Sequence, residues 1–215
     1  MDDFVLKKKV DYWWYETLLP IEKKIVKWIM KTSITPNMIT LFNLMVIFPL
    51  VGFTAYKKYY ILIALLVQIY MFLDNVDGDL ARNKHMQSEL GAKLDVITDT
   101  IFFTFGYLFI GLSVELPIYV IIIAIMIQHI YGIVATYYIV PKIRNIKNFE
   151  HTKIKKYFAK KNILFGMDTT LEMLITSVLL LMPIRRFVFI VCPVLWTMDM
   201  FYRIYELNWV NRKNM

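Results

Sequence analysis

The chain alternates between long apolar runs and short polar segments. Apolar residues dominate six stretches, which are residues 38–56, 59–73, 90–114, 117–140, 173–184 and 187–198. A helix needs about 20 mostly apolar residues to cross the hydrocarbon core of a bilayer. The last two stretches reach that length only when they are extended through residues 166–172 and 199–205. We therefore predict an all-α integral membrane protein with six transmembrane helices.

The segment before the first apolar run has the pattern of an amphipathic helix. Lysines occupy one face of a helix over residues 16–31. Its apolar face is formed by Ile21, Ile25, Trp28 and Ile29. Such a helix can lie in the headgroup layer with its lysines among lipid phosphates. It either anchors the chain beside the membrane or braces a site that faces the membrane. We predict an interfacial amphipathic helix before the first span.

The composition agrees with a membrane protein. Apolar residues make up 58% of the chain and charged residues 20%, against about 45–50% and 25% in soluble domains. A single cysteine, Cys192, excludes an intramolecular disulfide framework and a cysteine-rich zinc module. The net charge of +8 could suggest nucleic acid. The charges flank the apolar runs, however, so we expect a lipid bilayer as partner and no nucleic acid.

The basic residues predict how the spans are oriented. With six spans, one side receives all 25 Lys and Arg residues except Lys57, Lys58, Arg185 and Arg186. Cytoplasmic loops are enriched in Lys and Arg, so both termini are predicted to be cytoplasmic. The two external arginines are the exception that the sequence leaves unexplained. The expected organisation is an interfacial N-terminal segment, a six-helix transmembrane domain and a cytoplasmic tail, over residues 1–37, 38–206 and 207–215.

A basic connection over residues 141–164 follows the fourth predicted span. Its lysines and arginines either mark the cytoplasmic side and attract anionic headgroups, or form a flap that binds phosphate. We favour the first interpretation, because polybasic segments beside membranes are common.

Carboxylates are concentrated where the second apolar run ends and the third begins. Asp74 and Asp77 are three residues apart, and Asp95 and Asp99 are four apart, so each pair shares one helix face. Helix caps or ion pairs do not account for Asp95 and Asp99, because an ionised group inside a span costs on the order of 3 kcal/mol. Converging carboxylates would be driven to protonate unless a cation joins them. Ligation by oxygen alone suits Mg²⁺, Mn²⁺ or Ca²⁺ rather than zinc.

The spacing of these residues resembles the signature of the CDP-alcohol phosphotransferase family, D-x2-D-G-x2-A-R-x8-G-x3-D-x3-D. Every fixed position is matched, by Asp74, Asp77, Gly78, Ala81, Arg82, Gly91, Asp95 and Asp99. Residues 35–40, which read TPNMIT, also resemble the family's element before the first span. The resemblance implies a six-helix membrane transferase in which an acceptor hydroxyl displaces CMP from a CDP-linked donor.

The resemblance also implies roles for individual residues. Asp74, Asp77 and Asp95 would ligate a first Mg²⁺, and Asp74, Asp95 and Asp99 a second, with Mn²⁺ as a replacement. Asp99 would also be the general base for the acceptor hydroxyl. The implied nucleotide contacts are Thr35, Pro36, Asn37, Met38, Gly78, Arg82 and Ser88. A homodimer is implied in the same way, and the active site would lie on the cytoplasmic side.

Elementary chemistry is compatible with these roles and also offers simpler ones. Gly78 lacks a Cβ, so a nucleotide can approach its backbone closely. Arg82 offers a planar fork of donors to phosphate oxygens, although an ion pair with Asp79 is the alternative. Ser88 could instead cap the third transmembrane helix.

We favour CDP-diacylglycerol as donor and a small polar alcohol as acceptor, in phospholipid biosynthesis. The reverse assignment stays open, with a CDP-linked small alcohol as donor and a lipid as acceptor, since both share the signature. A rival of another class is an ion- or proton-coupled transporter that uses buried carboxylates as a relay. That rival predicts broken helices and an inverted repeat, for which the sequence gives no sign. The intact acidic positions argue against a non-catalytic scaffold.

Three further sets of polar residues lie in or beside the later apolar runs. His129 is expected to form a hydrogen bond between helices rather than to bind a ligand. Asp168 and Glu172 could cap the fifth span or hold an acceptor amine or hydroxyl. For Asp199 and Arg203, four residues apart, an intrahelical ion pair is expected.

Overall fold

The computed structural model describes residues 13–146, 152–159 and 166–213, and all regular structure in these ranges is helical. The helices are α1 (Trp13–Ile29), α2 (Pro36–Tyr56), α3 (Tyr60–Asn83), α4 (Glu89–Ser113), α5 (Ile118–Asn145), α6 (Lys153–Ala159), α7 (Thr169–Leu181) and α8 (Val188–Lys213). The first twelve residues and parts of the predicted basic connection, with the last two residues, lie outside the described ranges.

Five of the described helices, α2, α3, α4, α5 and α8, are long and apolar enough to cross a membrane. The predicted all-helical membrane architecture is therefore confirmed. The fifth predicted span corresponds to α7, which is apolar but has only 13 residues. At 1.5 Å per residue it covers about 20 Å, less than the roughly 30 Å of a hydrocarbon core. Helix length alone therefore does not show that α7 crosses the membrane.

Helices α2, α3 and α4 end in the same way. Lys58, His85 and Glu115 follow these helices with positive φ angles of 57°, 54° and 59°. After α3, the N–H of Met86 donates to the carbonyl of Ala81 at 2.9 Å. This is the hydrogen bond of a Schellman cap, which satisfies carbonyls at a helix end. The cap stops α3 abruptly, so that α4 can begin after a short turn.

Helix α3 is the central element of the described bundle, since it packs against α1, α2 and α7. Val67 on α3 and Ile110 on α4 are fully buried in the main apolar core. Large apolar side chains also cover the outside, among them Met45, Leu90 and Tyr137, which are 71%, 72% and 79% exposed. An apolar exterior of this extent is typical of a surface that faces lipid.

Helix α1 covers most of the segment for which an interfacial amphipathic helix is predicted, but one of its faces differs from the expectation. Ile21 and Trp28 are exposed as expected, whereas Ile29 is buried. Ile29 packs in a small cluster that includes Val76 and Leu80 of α3. Part of the apolar face therefore contacts the protein, next to the segment that carries the signature aspartates.

An ion-pair cluster lies at the end of the bundle where α3 begins. It gives Arg185 and Arg186 a role. Glu115 pairs with Lys58 and lies 3.6 Å from Arg186, while the Arg185 guanidinium stacks 4.2 Å from the centre of the Tyr60 ring. The hydrogen bond from Lys58 lowers the pKa of the Glu115 carboxyl, and the same bond raises the pKa of Lys58. The cluster links the loops after α2, α4 and α7.

Gly111 marks a close approach between α4 and α5. A Cβ at this position would lie 2.6 Å from Cγ1 of Ile121, which is fully buried. We predict that Gly111→Ala destabilises the protein by about 1–3 kcal/mol, because overpacking forces the helices apart. Thermal unfolding in detergent measures this. Gly132→Ala on α5 is the matched control, since nothing lies within 4 Å of its added Cβ. Equal melting temperatures for both variants would contradict the prediction.

Candidate metal and nucleotide site

Three aspartates from two helices converge at one end of the bundle. Asp74 lies on α3, and Asp95 and Asp99 lie one turn apart on α4. One carboxylate oxygen from each lies within 4.8 Å of the other two, and all three side chains are partly buried. This donor set of carboxylate oxygens fits a hard divalent cation such as Mg²⁺ or Mn²⁺.

Asp77 is not part of this group of three. Its side chain is 6% exposed and accepts a 2.7 Å hydrogen bond from the hydroxyl of Thr40 on α2. Asp77 and Asp95 nevertheless line the same cleft. The structure thus brings together Asp74, Asp95 and Asp99, which are the expected ligands of one ion. The expected role of Asp77 in binding the other ion stays a prediction.

The cleft has a volume of about 200 Å³ and lies between α2, α3 and the start of α4. Five of the expected nucleotide contacts line it, namely Pro36, Asn37, Gly78, Arg82 and Ser88. Thr35 and Met38 are not among its lining residues; Thr35 occupies the N-cap position of α2, and Met38 is 53% exposed. The signature and the element before the first span therefore meet in one place.

In this cleft an added side chain would be most crowded at Gly91. A Cβ there would lie 3.0 Å from Oδ1 of Asn37 and 3.1 Å from Oγ of Ser88. Ser88 accepts a 3.0 Å hydrogen bond from the Gly91 N–H, so the simpler interpretation of Ser88 as a helix cap is observed. At Gly78 an added Cβ would meet only the Arg82 guanidinium, at 3.5 Å, so the backbone at Gly78 is otherwise open.

Arg82 forms an ion pair with the fully buried Asp79. This ion pair is the simpler role that the sequence offered for Arg82. The same guanidinium also lines the cleft. Its buried Nε has no hydrogen-bond partner among the described residues. The ion pair therefore holds the guanidinium at the wall of this cleft.

The sequence did not point to Tyr70, which contacts the site directly. Its hydroxyl donates a 3.0 Å hydrogen bond to Oδ1 of Asp99, and its ring stacks on Phe102 at 3.7 Å between centroids. The Asn43 side chain donates to the Tyr70 carbonyl at 3.1 Å. The available signal was that Tyr70 lies four residues before Asp74, on the same face of α3.

A second, larger cavity of about 670 Å³ lies beside Asp99 and is bounded by α4, α5 and α8 and the start of α7. His129 in its wall bonds Thr104 of α4 at 3.0 Å, so the expected interhelical role is observed. Asp168 caps α7 through a 2.8 Å bond from the Leu171 N–H.

Two further expectations concern residues around this cavity. Asp199 and Arg203 form the expected intrahelical ion pair at 2.6 Å. Glu172 is 1% exposed and accepts a 2.7 Å hydrogen bond from Gln128, so it is a buried interhelical group rather than a cap.

Comparison with known families agrees with this geometry. Residues 33–201 match the family model described as CDP-alcohol phosphatidyltransferase. The chain belongs to the CDP-alcohol phosphatidyltransferase family. These are membrane transferases of phospholipid biosynthesis, and the match includes both the cleft and the group of three aspartates. It also extends over most of the second cavity.

The fold is shared with a solved structure of a membrane-lipid synthase. It resembles phosphatidylinositol phosphate synthase (PgsA1) of Mycobacterium tuberculosis, solved with CDP-DAG bound, with a TM-score of 0.61. The alignment covers 87% of this chain and 94% of that one, at 13% identity, so the likeness is one of fold. An uncharacterized protein of Aquifex aeolicus (strain VF5) is 37% identical over 86 residues, which span 40% of this chain and 42% of that relative.

The group of three aspartates predicts a divalent cation site. We expect the protein in nanodiscs to bind Mn²⁺, and Asp95→Asn to weaken binding at least about 10-fold, because a neutral amide replaces a negatively charged ligand. Electron paramagnetic resonance of free Mn²⁺ measures the affinity and the stoichiometry. Glu89→Gln, at an exposed position in the first turn of α4, is the control. Unchanged Mn²⁺ affinity in Asp95→Asn would refute the site, and a halved stoichiometry in Asp77→Asn would assign Asp77 to a second ion.

Proposed function

We propose that the chain transfers a phosphatidyl group from CDP-diacylglycerol to the hydroxyl of a small polar alcohol, with release of CMP. The observation that carries this proposal is the convergence of the signature residues of the cleft with the group Asp74, Asp95 and Asp99. A cleft for a nucleotide beside a cation site is what the attack on a diphosphate requires.

The metal ions would be held by the four signature aspartates. Asp74, Asp95 and Asp99 would ligate one Mg²⁺, and Asp77 would join Asp74 and Asp95 in ligating another. Bound there, such cations would neutralise the charge of the diphosphate and of the leaving CMP. The family and the group of three aspartates support a divalent cation. Its identity and the number of ions belong to the proposal.

The protein's own residues would carry out the remaining parts of the reaction. The acceptor oxygen forms a bond to the phosphorus that carries the diacylglycerol, and the bond from that phosphorus to the CMP oxygen breaks. Asp99 takes the proton of the acceptor hydroxyl as the new bond forms. The hydrogen bond from Tyr70 holds the Asp99 carboxylate in one orientation. Arg82 and the open backbone at Gly78 would receive the nucleotide phosphates.

The choice of donor rests on two observations. The structure that shares this fold was solved with CDP-DAG bound. The described surface near the cleft is also apolar, since Leu90 and Val96 of α4 are 72% and 63% exposed, so acyl chains could lie against it. The alternative of a CDP-linked small alcohol as donor and a lipid as acceptor is separated from this one by the experiment below.

We further propose six crossings, with α7 extended by its flanking residues as the fifth, and both termini and the site in the cytoplasm. The ion-pair cluster supports this orientation, because Glu115 neutralises part of the positive charge that would face outward. Helix α1 would lie in the interface, with Ile21 and Trp28 toward lipid. A homodimer is proposed from the family resemblance.

The first experiment measures CMP release by the purified chain in nanodiscs with Mg²⁺. CDP-diacylglycerol is compared with CDP-linked small alcohols, each with a pooled set of acceptors. We expect release from CDP-diacylglycerol, abolished by chelation of the metal and reduced at least about 100-fold by Asp99→Asn, because the general base is lost. Glu89→Gln should retain activity. Release only from CDP-linked small alcohols would reverse the roles of donor and acceptor, and absence of both release and CDP binding would contradict a transferase.

A second prediction concerns Tyr70. Tyr70→Phe keeps the ring that stacks on Phe102 and removes the hydroxyl that bonds Asp99. We expect kcat to fall about 10-fold, since one orienting hydrogen bond is lost, while the donor KM and the Mn²⁺ affinity stay unchanged. Tyr60→Phe is the matched control, because its hydroxyl bonds the Ser113 carbonyl at the other end of α3. Equal kcat values in the two variants would exclude a positioning role for Tyr70.

A further inference from the structure

Two neighbouring cavities, of about 340 and 590 Å³, lie at the end of the bundle where α3 begins. Tyr60 and Arg185 line both of them, so the two cavities share a wall. Asp74 lies 14 residues after Tyr60 on the same helix, which corresponds to about 21 Å along the helix axis. The cavities are therefore separate from the group of three aspartates and from the cleft beside it.

The loops at this end of the bundle carry an excess of positive charge. In the loops that follow α2, α4 and α7, a single carboxylate accompanies four cations, which are Lys57, Lys58, Arg185 and Arg186. That carboxylate, Glu115, is already shared between Lys58 and Arg186. A cluster of charges of one sign attracts ions of the opposite sign. The electrostatics of these cavities therefore favour an anionic ligand.

Arg185 offers fixed hydrogen-bond donors to such a ligand. Its Nε donates to the Leu180 carbonyl at 2.9 Å, and its guanidinium stacks over the Tyr60 ring. The Tyr60 hydroxyl in turn donates to the Ser113 carbonyl at 2.8 Å, which holds the ring in place. Among the described residues no carboxylate pairs with Arg185, and the Leu180 carbonyl is its only hydrogen-bond acceptor. The two terminal amino groups therefore form a fork that suits the oxygens of a phosphate.

The surface on both sides of this fork is apolar. Ile61 and Leu62 line the larger cavity and are exposed, and so is Leu65, which lies one turn after Ile61. Ile184 and Phe187 line the smaller cavity and are exposed as well. A ligand here can place a negative charge at the arginine and an apolar part along the side of α3. A phospholipid with a net negative charge has this combination of properties.

We propose that the two cavities bind an anionic phospholipid from the leaflet at this end of the bundle. Its phosphate lies against the Arg185 guanidinium, and an acyl chain runs along Ile61 and Leu65 of α3. The lipid balances the positive charge that Glu115 leaves uncompensated. This site takes no part in the proposed reaction, so the inference does not depend on the proposed function.

The test places a fluorescent label beside the site. Leu65→Cys is labelled with bimane in phosphatidylcholine nanodiscs. Leu65 lines neither cavity, and the chain without this substitution reports any labelling of the buried Cys192. Phosphatidylglycerol or phosphatidylcholine with brominated acyl chains is then added, because bromine quenches fluorescence only at short range. We expect the local association constant to be about 5- to 10-fold higher for phosphatidylglycerol, since its net charge is negative.

Three charge variants of the labelled protein connect this preference to Arg185. Arg185→Gln should remove most of the preference, because the fork is lost. Lys57→Gln is the matched control, since it removes an equal charge at the same end but lines neither cavity. Glu115→Gln should raise the preference about 2- to 5-fold, because Lys58 and Arg186 lose their carboxylate. A general loss of stability would not raise it, so this variant separates binding from folding.

The outcomes distinguish a lipid site from diffuse attraction and from a site for a soluble anion. Equal quenching by the two brominated lipids would overturn the proposal. Equal effects of Arg185→Gln and Lys57→Gln would also overturn it, because surface charge alone would then explain the preference. Inorganic phosphate is compared with chloride at equal ionic strength. We expect no displacement at millimolar phosphate, because the bilayer keeps the lipid at a high effective concentration. Displacement by phosphate would assign the cavities to a soluble anion instead.

Discussion

The repulsion among Asp74, Asp95 and Asp99 is the constraint on which the rest of the site depends. Their oxygens lie within 4.8 Å of one another at the ends of two apolar helices, where such a group is stable only with a cation or with hydrogen bonds. The chain supplies hydrogen bonds from neighbouring helices, such as that from Tyr70 to Asp99. Asn43 in turn ties α2 to the Tyr70 backbone. The packing of α2, α3 and α4 therefore sets the geometry of the carboxylates.

Periodicity and spacing were enough to predict the features that a membrane and a cation impose locally. A bilayer forces long apolar helices, and these were found wherever the runs were long. Carboxylates in an apolar run required an explanation, which led directly to Asp95 and Asp99. The length of α7 was less evident, because Asp168 caps the N-terminus of the helix, which therefore begins at Thr169 and does not include residues 166–168. The burial of Ile29 was also missed, since it depends on Val76 and Leu80 of another helix.

Contacts between distant segments could not be predicted from one sequence. Arg185 and Arg186 looked misplaced until the fold brought them to Tyr60 and Glu115. The pairing of Gln128 with Glu172 joins two helices, and a single polar residue in an apolar run does not show which partner will satisfy it. Helix packing decides such partnerships. The sequence alone therefore indicates the chemistry of the carboxylates. It does not indicate which residues of other helices contact them.

The three aspartates come from α3 and α4, whereas the cavity beside Asp99 is built largely from α5, α7 and α8. The proposed catalytic carboxylates and the pocket next to them thus lie in different halves of the chain. Under the proposed function, substitutions in the later half could change which alcohol enters the pocket without altering Asp74, Asp95 or Asp99. Such an arrangement would allow a new product to arise without rebuilding the reaction centre.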